Sequence, residues 1–367
     1  MDRCRVTVEQ YRAFRRDGFL VVPRLVSVDD IDALRRHTDD LMQGRLPEQR
    51  TQMSERDPSR DGGVSVQELE APPAHLSPLA KAQYFLRVHM LHRRLALHER
   101  FLLHPRVLDV LEVLIGPDVL ALQTMLFLKP PGKPGQGWHQ DSYYIPTHPD
   151  TLCGAWLAID DADESNGAMW FARGSGAEPV YPPCPDGSYG FGDRLVSDVM
   201  HVRGVSDTEE NVNMLARVAA NYEHVLAPAE AGDVVFFGGH VLHMSRANTT
   251  KDRLRRAFVG HYCNARSFTQ WGADAPRGDA QASQASHASQ ASQASHVIDP
   301  VTRMTNGSHI LARGDTHLPF ARPRFGTPCA ALLPPEIRRG EYERVARVIA
   351  DANDGLRGCA TGESRDA

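Results

Sequence analysis

The sequence predicts a mainly β protein with flanking helices, built on a double-stranded β-helix core, a jelly roll. Three observations predict it. Up to residue 118 the chain carries capped segments of helical period, and from Val119 it changes to short apolar or alternating runs separated by turn residues. Many short strands after a helical start suit two sheets closed face to face, the cupin-like architecture. A His-x-Asp pair and a later histidine sit beside those runs, where such a barrel would gather them.

Thr7 with Gln10 three residues on reads as a capping box, with Tyr11 and Phe14 on one face and Gly18 as the stop. Phe19 to Val22 reads as a short strand ended by Pro23. Ser27 and Asp30 open a second helix with apolar positions Ile31, Leu34, Leu41 and Met42. Residues 45–75 lack periodicity and read as a long surface loop or a lid. Helical periodicity returns from Pro78 to Leu103 and again from Arg106 to Leu114, closed by Gly116-Pro117. Strands are expected at Leu120–Leu128, Leu152–Ile159, Ala168–Phe171, Asp233–Phe237 and Arg256–Tyr262.

The chain divides into a helical region, 1–118, packing on the barrel, and a core, 119–265, with an insertion at 178–222 over one mouth. A flexible loop follows at 266–300, then an extension, 301–367, all within one domain. Within the loop, 279–296 is a low-complexity Ala-Ser-Gln/His run, whose composition suits a solvated segment better than a metal site. Asn306 to Phe320 looks ordered, and Pro335 to Ala350 is a plausible closing helix.

With 41% apolar and 24% charged residues over 367 positions, the composition is that of a soluble globular protein. A formal net charge of −5 argues against nucleic acid or a membrane surface as partner, and no apolar run reaches the length of a membrane span. The amino terminus leads into a helix rather than a signal segment, and Ser364-Arg-Asp-Ala367 is not a Ser-Lys-Leu address. Six cysteines stand singly at 4, 153, 184, 263, 329 and 359, as thiols in a reducing cytoplasm would. Nothing sets an oligomeric state.

The chemistry centres on Trp138-His139-Gln140-Asp141. Two residues apart, His139 and Asp141 leave one face of an extended strand and can hold two positions of a divalent metal. His243, after the run Val234 to Phe237, is the best third ligand, with His240 as its rival. His240 would take the opposite strand face; His261 can be an ordinary half-buried residue. Two histidines and a carboxylate on one face match non-haem Fe(II) oxygenases. Arg253, Arg255 and Arg256 are available to grip a carboxylate through a planar fork.

Four blocks carry a resemblance to the phytanoyl-CoA dioxygenase family, a branch of the Fe(II)/2-oxoglutarate-dependent oxygenases. They are Gln123 to Gly132, Trp138 to Asp141, Gly154 to Ile159 with Asn166-Gly167, and His243-Met-Ser245 leading to Arg255-Arg-Ala-Phe258. Tyr11 to Pro23 is similar to the family's amino-terminal stretch. The resemblance implies Fe(II) on His139, Asp141 and His243, with 2-oxoglutarate and O₂ as cosubstrates. Its Arg-x-Ala pattern falls on Arg255, leaving Arg253 and Arg256 as a solvated basic cluster. It also implies Ser245 at the 5-carboxylate and Trp156 and Met125 around the cosubstrate (or in plain core packing), with Arg87 and Gln123 nearby. The activity implied is hydroxylation of an unactivated C–H bond of a small molecule, releasing succinate and CO₂. The other classes are a non-catalytic barrel and a cupin-type metal enzyme that does not use 2-oxoglutarate. Where relatives carry a Pro-Gly-Ser-His turn this chain has Ala172-Arg-Gly-Ser-Gly176, so a substrate-side histidine is absent there. No nucleotide-phosphate loop or large basic patch calls for coenzyme A.

Overall fold

A computed structural model describes residues 3–49, 64–66, 71–181, 214–267, 269, 309–316 and 322–323. The run at 279–296, the helix at 335–350, most of the insertion and much of the 45–75 loop lie outside the described residues. The elements begin with α1 (Val8–Asp17), β1 (Phe19–Val22) and α2 (Val28–Gln43). Then come β2 (Val64–Val66), α3 (Pro78–Ala82), β3 (Phe85–His89), α4 (Ala96–Leu102) and α5 (Pro105–Leu114). The barrel continues with β4 (Val119–Lys129), β5 (Gln136–His139), α6 (Asp141–Tyr144), β6 (Cys153–Ala158) and β7 (Met169–Ala172). It ends with α7 (Met214–Ala219), β8 (His224–Ala227), β9 (Val234–Gly238), β10 (His243–Ser245), β11 (Arg255–Asn264), β12 (Ile310–Arg313) and β13 (Arg322–Pro323).

Two sheets face one another. The larger runs β1-β9-β6-β11-β4-β12-β13, with β3 also on β4 and β2 on β3; the smaller runs β5-β10-β7-β8. Both amino-terminal helices start as their sequences dictate. Thr7 accepts from the Gln10 amide while the Gln10 side chain accepts from Thr7, and Ser27 accepts from Asp30. Gly18 closes α1 at φ +88, and a Cβ there would lie 2.8 Å from the Val241 side chain, so glycine is needed for both conformation and space.

The outer face of the large sheet packs on the helices through Leu34, Leu41, Leu108, Leu126, Leu157 and Phe236. Its inner face carries Met125, Trp156, Phe237 and Val259. Strands buried on both faces read as continuous apolar runs, which is why β4 alternates so weakly. Tyr262 donates from β11 to the Leu102 carbonyl, 2.8 Å, fastening α4 to the sheet.

Two expectations need correction. Pro78 to Leu103 is not helical throughout: β3 interrupts it and pairs antiparallel with β4, Arg87 opposite Phe127 and His89 opposite Met125. Pairing on an open sheet edge overrides the local apolar spacing. Residues 1–118 thus supply strands as well as helices. Arg256 is not in a solvated cluster. It is buried on the outer face, with two bonds of 2.8 Å to Asp160 and one to Asp39 of α2. The chain after 265 also returns to the core. β12 pairs with the start of β4, and Arg313 binds Asp109 and Glu112 of α5. Among the described residues no helix is long and apolar enough to cross a membrane.

Arg256→Ala should lower the free energy of unfolding by roughly 3 kcal/mol, the low end for breaking a buried pair, because Asp160 and Asp39 keep some solvent. Urea unfolding checks it. His98 of α4 is wholly buried against the rings of His37 and Phe258, and neither ring nitrogen has a hydrogen-bond partner. Burial, with His37 and His92 adding to it, holds His98 well below the ordinary 6.5. The folded state therefore keeps it neutral while the unfolded chain takes up a proton. Stability is full above pH 6.5 and declines as pH falls below it. Melting temperatures from about pH 7.5 to 5 should show that slope, and His98→Phe should reduce it.

Candidate active site

A cavity of about 180 Å³ opens between the sheets, lined from alternate positions of each strand. β4 contributes Gln123, Met125 and Phe127; β11 contributes Arg255, Val259 and His261; β3 contributes Arg87 and His89. His139, Asp141 and His243 lie together on its wall, all buried. His139 ends β5 and stands directly across from His243 of β10. Asp141 is not in the strand, as the His-x-Asp spacing suggests, but is the first residue of α6. Gln140 between them stays extended (φ −123, ψ 128), so the two side chains still leave on one side. Gln140 also donates to the His240 and Pro179 carbonyls, tying this turn to its neighbours.

Local bonds fix the protonation of all three. His139 Nδ1–H donates to the Gly137 carbonyl, 2.9 Å, and His243 Nδ1–H to the Val241 carbonyl, 3.0 Å. A carbonyl only accepts, so each Nδ1 carries the proton and each Nε2 keeps a lone pair. Those nitrogens lie 3.7 and 3.8 Å from Asp141 Oδ1. Burial, with His243 adding to it, pushes His139 down to about 3 against the opposing Asp141 charge. Burial lowers His243 too, again against Asp141. Burial by itself would raise Asp141, but His243 and His261 more than reverse it, and the group sits below the usual carboxylate range. Near neutral pH the site therefore offers two neutral imidazoles and one carboxylate, close enough for one ion. That donor set fits a divalent metal held on one face. Gln136 Nε2 donates to His139 Nε2, 3.0 Å, so a bound metal would take that lone pair from the amide.

Behind the triad, His261 Nε2–H donates to Asp141 Oδ2, 2.8 Å, and His261 Nδ1 accepts from Gln123 Nε2, 2.9 Å. Spacing did not single out His261 as part of the site, although it shares a β11 face with Arg255, Ala257 and Val259 at period two. Phe237 and Phe171 close against His243, their ring centroids 4.7 and 5.9 Å from its own. Gly154 makes room for Phe237, since a Cβ there would lie 2.4 Å from the ring.

His240 stays outside the triad. It sits in the turn before β10, paired with Asp150 and with its Nδ1 on the Glu178 carbonyl. Of the three arginines, Arg253 lies before β11 and places both terminal nitrogens on Asp163, 2.7 Å each. Arg256 faces outward. Arg255 faces the cavity, 3% exposed, its guanidinium 5.6 Å from the Trp156 ring centre and its Nε without a hydrogen-bond partner. Burial brings Arg255 down to about 10, against Asp160, so it remains a cation. That buried, unpartnered fork fits a carboxylate ligand. Ser245, Trp156, Met125, Gln123 and Arg87 also line the cavity. His89, Gln136 and Tyr144 line it too and carried no signal in the sequence. Burial, with Arg87 and His261 adding to it, lowers His89 to about 4.

Residues 14–257 match the family described as phytanoyl-CoA dioxygenase (PhyH). The peroxisomal phytanoyl-CoA dioxygenase of Homo sapiens is 30% identical over 271 residues, 72% of this chain and 70% of that one. Phytanoyl-CoA dioxygenase domain-containing protein 1 of Danio rerio is 25% identical, over 72% of this chain and 92% of that one. Among solved structures, the non-haem α-ketoglutarate-dependent carbocyclase SnoK from nogalamycin biosynthesis superposes with a TM-score of 0.50 at 18% identity. It covers 72% of this chain and 86% of that one, a likeness of fold.

Asp141→Ala and His243→Ala should each lose most Fe(II) affinity, the first because it removes the one anionic donor of the set. His240→Ala should retain the metal. Anaerobic equilibrium dialysis of Fe(II) measures this, and an exchange of phenotypes between the two histidine variants would move the third ligand to His240.

Proposed function

Because this chain belongs to the phytanoyl-CoA dioxygenase family, we propose that it hydroxylates an unactivated C–H bond of a small molecule. In this reading His139, Asp141 and His243 hold Fe(II), and Arg255 grips the distal carboxylate of 2-oxoglutarate. When bound, the metal with 2-oxoglutarate and O₂ supplies oxidation of a C–H bond coupled to release of succinate and CO₂. The observation that carries the proposal is a buried cation, Arg255, with an unpartnered donor in the same cavity as a buried His-Asp-His set.

The chain's own residues bind, orient and exclude water. His261 and Gln123 hold Asp141 ionised and oriented. Arg255 and Ser245 anchor the cosubstrate's far end, Trp156 and Met125 wall its carbon chain, and Arg87 and Gln123 contact it from β3 and β4. Phe237 and Phe171 shield the imidazoles, which strengthens each charge interaction inside. The substrate is read as a small molecule whose class is set by the cavity rim, and no coenzyme A moiety is part of the proposal. The single cysteines suit a cytoplasmic setting; Cys4, Cys153 and Cys263 are free thiols.

Arg255→Ala should retain Fe(II) and weaken 2-oxoglutarate about thirty- to several-thousand-fold, the equivalent of roughly 2–5 kcal/mol for truncating one partner of a buried charge pair. Arg255→Lys should recover part of the loss, since an ammonium lacks the planar fork. Arg253→Ala, already satisfied by Asp163, should change little. Titration of 2-oxoglutarate into the anaerobic Fe(II) protein, followed by the absorption band of the chelate, reads all three. Wild-type behaviour of Arg255→Ala would remove the clamp.

A further inference from the structure

Lys129 is a buried basic residue beside this site that the proposed mechanism leaves unused. It ends β4 directly opposite Arg255 on β11 and is 4% exposed. Its amine donates to Ser245 Oγ at 2.9 Å and to the Arg246 carbonyl at 2.7 Å. Among the described residues no carboxylate forms an ion pair with it. The space for the amine depends on Gly167, at φ +89. A Cβ there would lie 2.5 Å from the Arg246 carbonyl oxygen and 3.0 Å from Lys129 Nζ. A buried amine without an anion costs stability rather than supplying it, so its presence calls for a ligand-directed role.

We propose that Lys129 is a positioning residue for the cosubstrate anchor, acting through Ser245. A serine hydroxyl has one hydrogen and two acceptor sites. With the Lys129 amine on one acceptor site, the Ser245 O–H is turned away from Lys129 and towards the cavity, on the side that Arg255 lines. The distal carboxylate would then receive the arginine fork and an oriented hydroxyl. Burial, with Arg255 adding to it, holds the Lys129 amine well below its usual pKa. The inference rests on the reading that Arg255 and Ser245 hold the distal carboxylate.

A double-mutant cycle tests it, with 2-oxoglutarate titrated into the anaerobic Fe(II) forms of wild type, Lys129→Met, Ser245→Ala and the double variant. Each single change should weaken 2-oxoglutarate about tenfold to a hundredfold, the range for one hydrogen bond to a charged group. The double variant should bind no more weakly than Ser245→Ala alone, because the lysine works through the serine. In turnover, Lys129→Met should raise KM for 2-oxoglutarate and leave kcat at saturation near wild type. Its Fe(II) affinity should stay at the wild-type level. Losses that multiply in the double variant would overturn the relay and leave the anchor standing. So would a Lys129→Met protein that binds 2-oxoglutarate normally while Ser245→Ala does not. A Ser245→Ala protein with unchanged binding would remove Ser245 from the anchor, and the relay with it. If Lys129→Met does not fold, Lys129→Leu, likewise without a donor, takes its place in the cycle under the same outcomes.

Discussion

The pairing of β4 with β11 is the constraint on which the rest of the site depends. This antiparallel ladder sets Gln123 against His261 at one end and Lys129 against Arg255 at the other. The first rung reaches Asp141 through His261, and the second reaches Ser245 through Lys129. One register therefore supports both the anionic metal-side wall and the cationic wall that faces it. A slip of one residue would turn His261 and Arg255 outward and bring Arg256 into the cavity.

Charge is distributed along that ladder with little redundancy. Asp141 stays ionised in a buried place with the His261 N–H donated to it, and His139 and His243 stay neutral because burial outweighs its attraction. At the opposite end, two buried basic groups sit side by side, and the opposing charge acting on Arg255 is that of Asp160. An interior with its negative and positive ends held apart favours a ligand that is itself anionic at its far end.

What the sequence made legible was local. The capping box at Thr7, the glycine stop at Gly18 and the His139–Asp141 spacing each depend on a few consecutive residues, and each has the expected local consequence. The jelly roll was legible too, since turn residues separate the strands cleanly. The illegible parts depend on which strands meet. β3 looks helical until the β4 edge is available to pair with it. His261 looks ordinary until the ladder puts it behind Asp141. Lys129 looks like the polar end of an apolar run. Arg256 looks solvated until Asp39 of α2 and Asp160 close over it. Each was missed because its partner lies far away along the chain.

The return of β12 to the sheet bears on where this protein can be cut. The stretch matching the family ends at 257, and every residue of the cavity lies before 265. Yet Ile310 and Leu311 cover the start of β4, beside Ala121 and Leu120. A fragment stopped after the last cavity residue would keep all of its chemistry and lose that cover. It would present bare amide and carbonyl groups along an apolar strand, a template for self-association. The minimal folding unit is thus longer than the minimal chemical one.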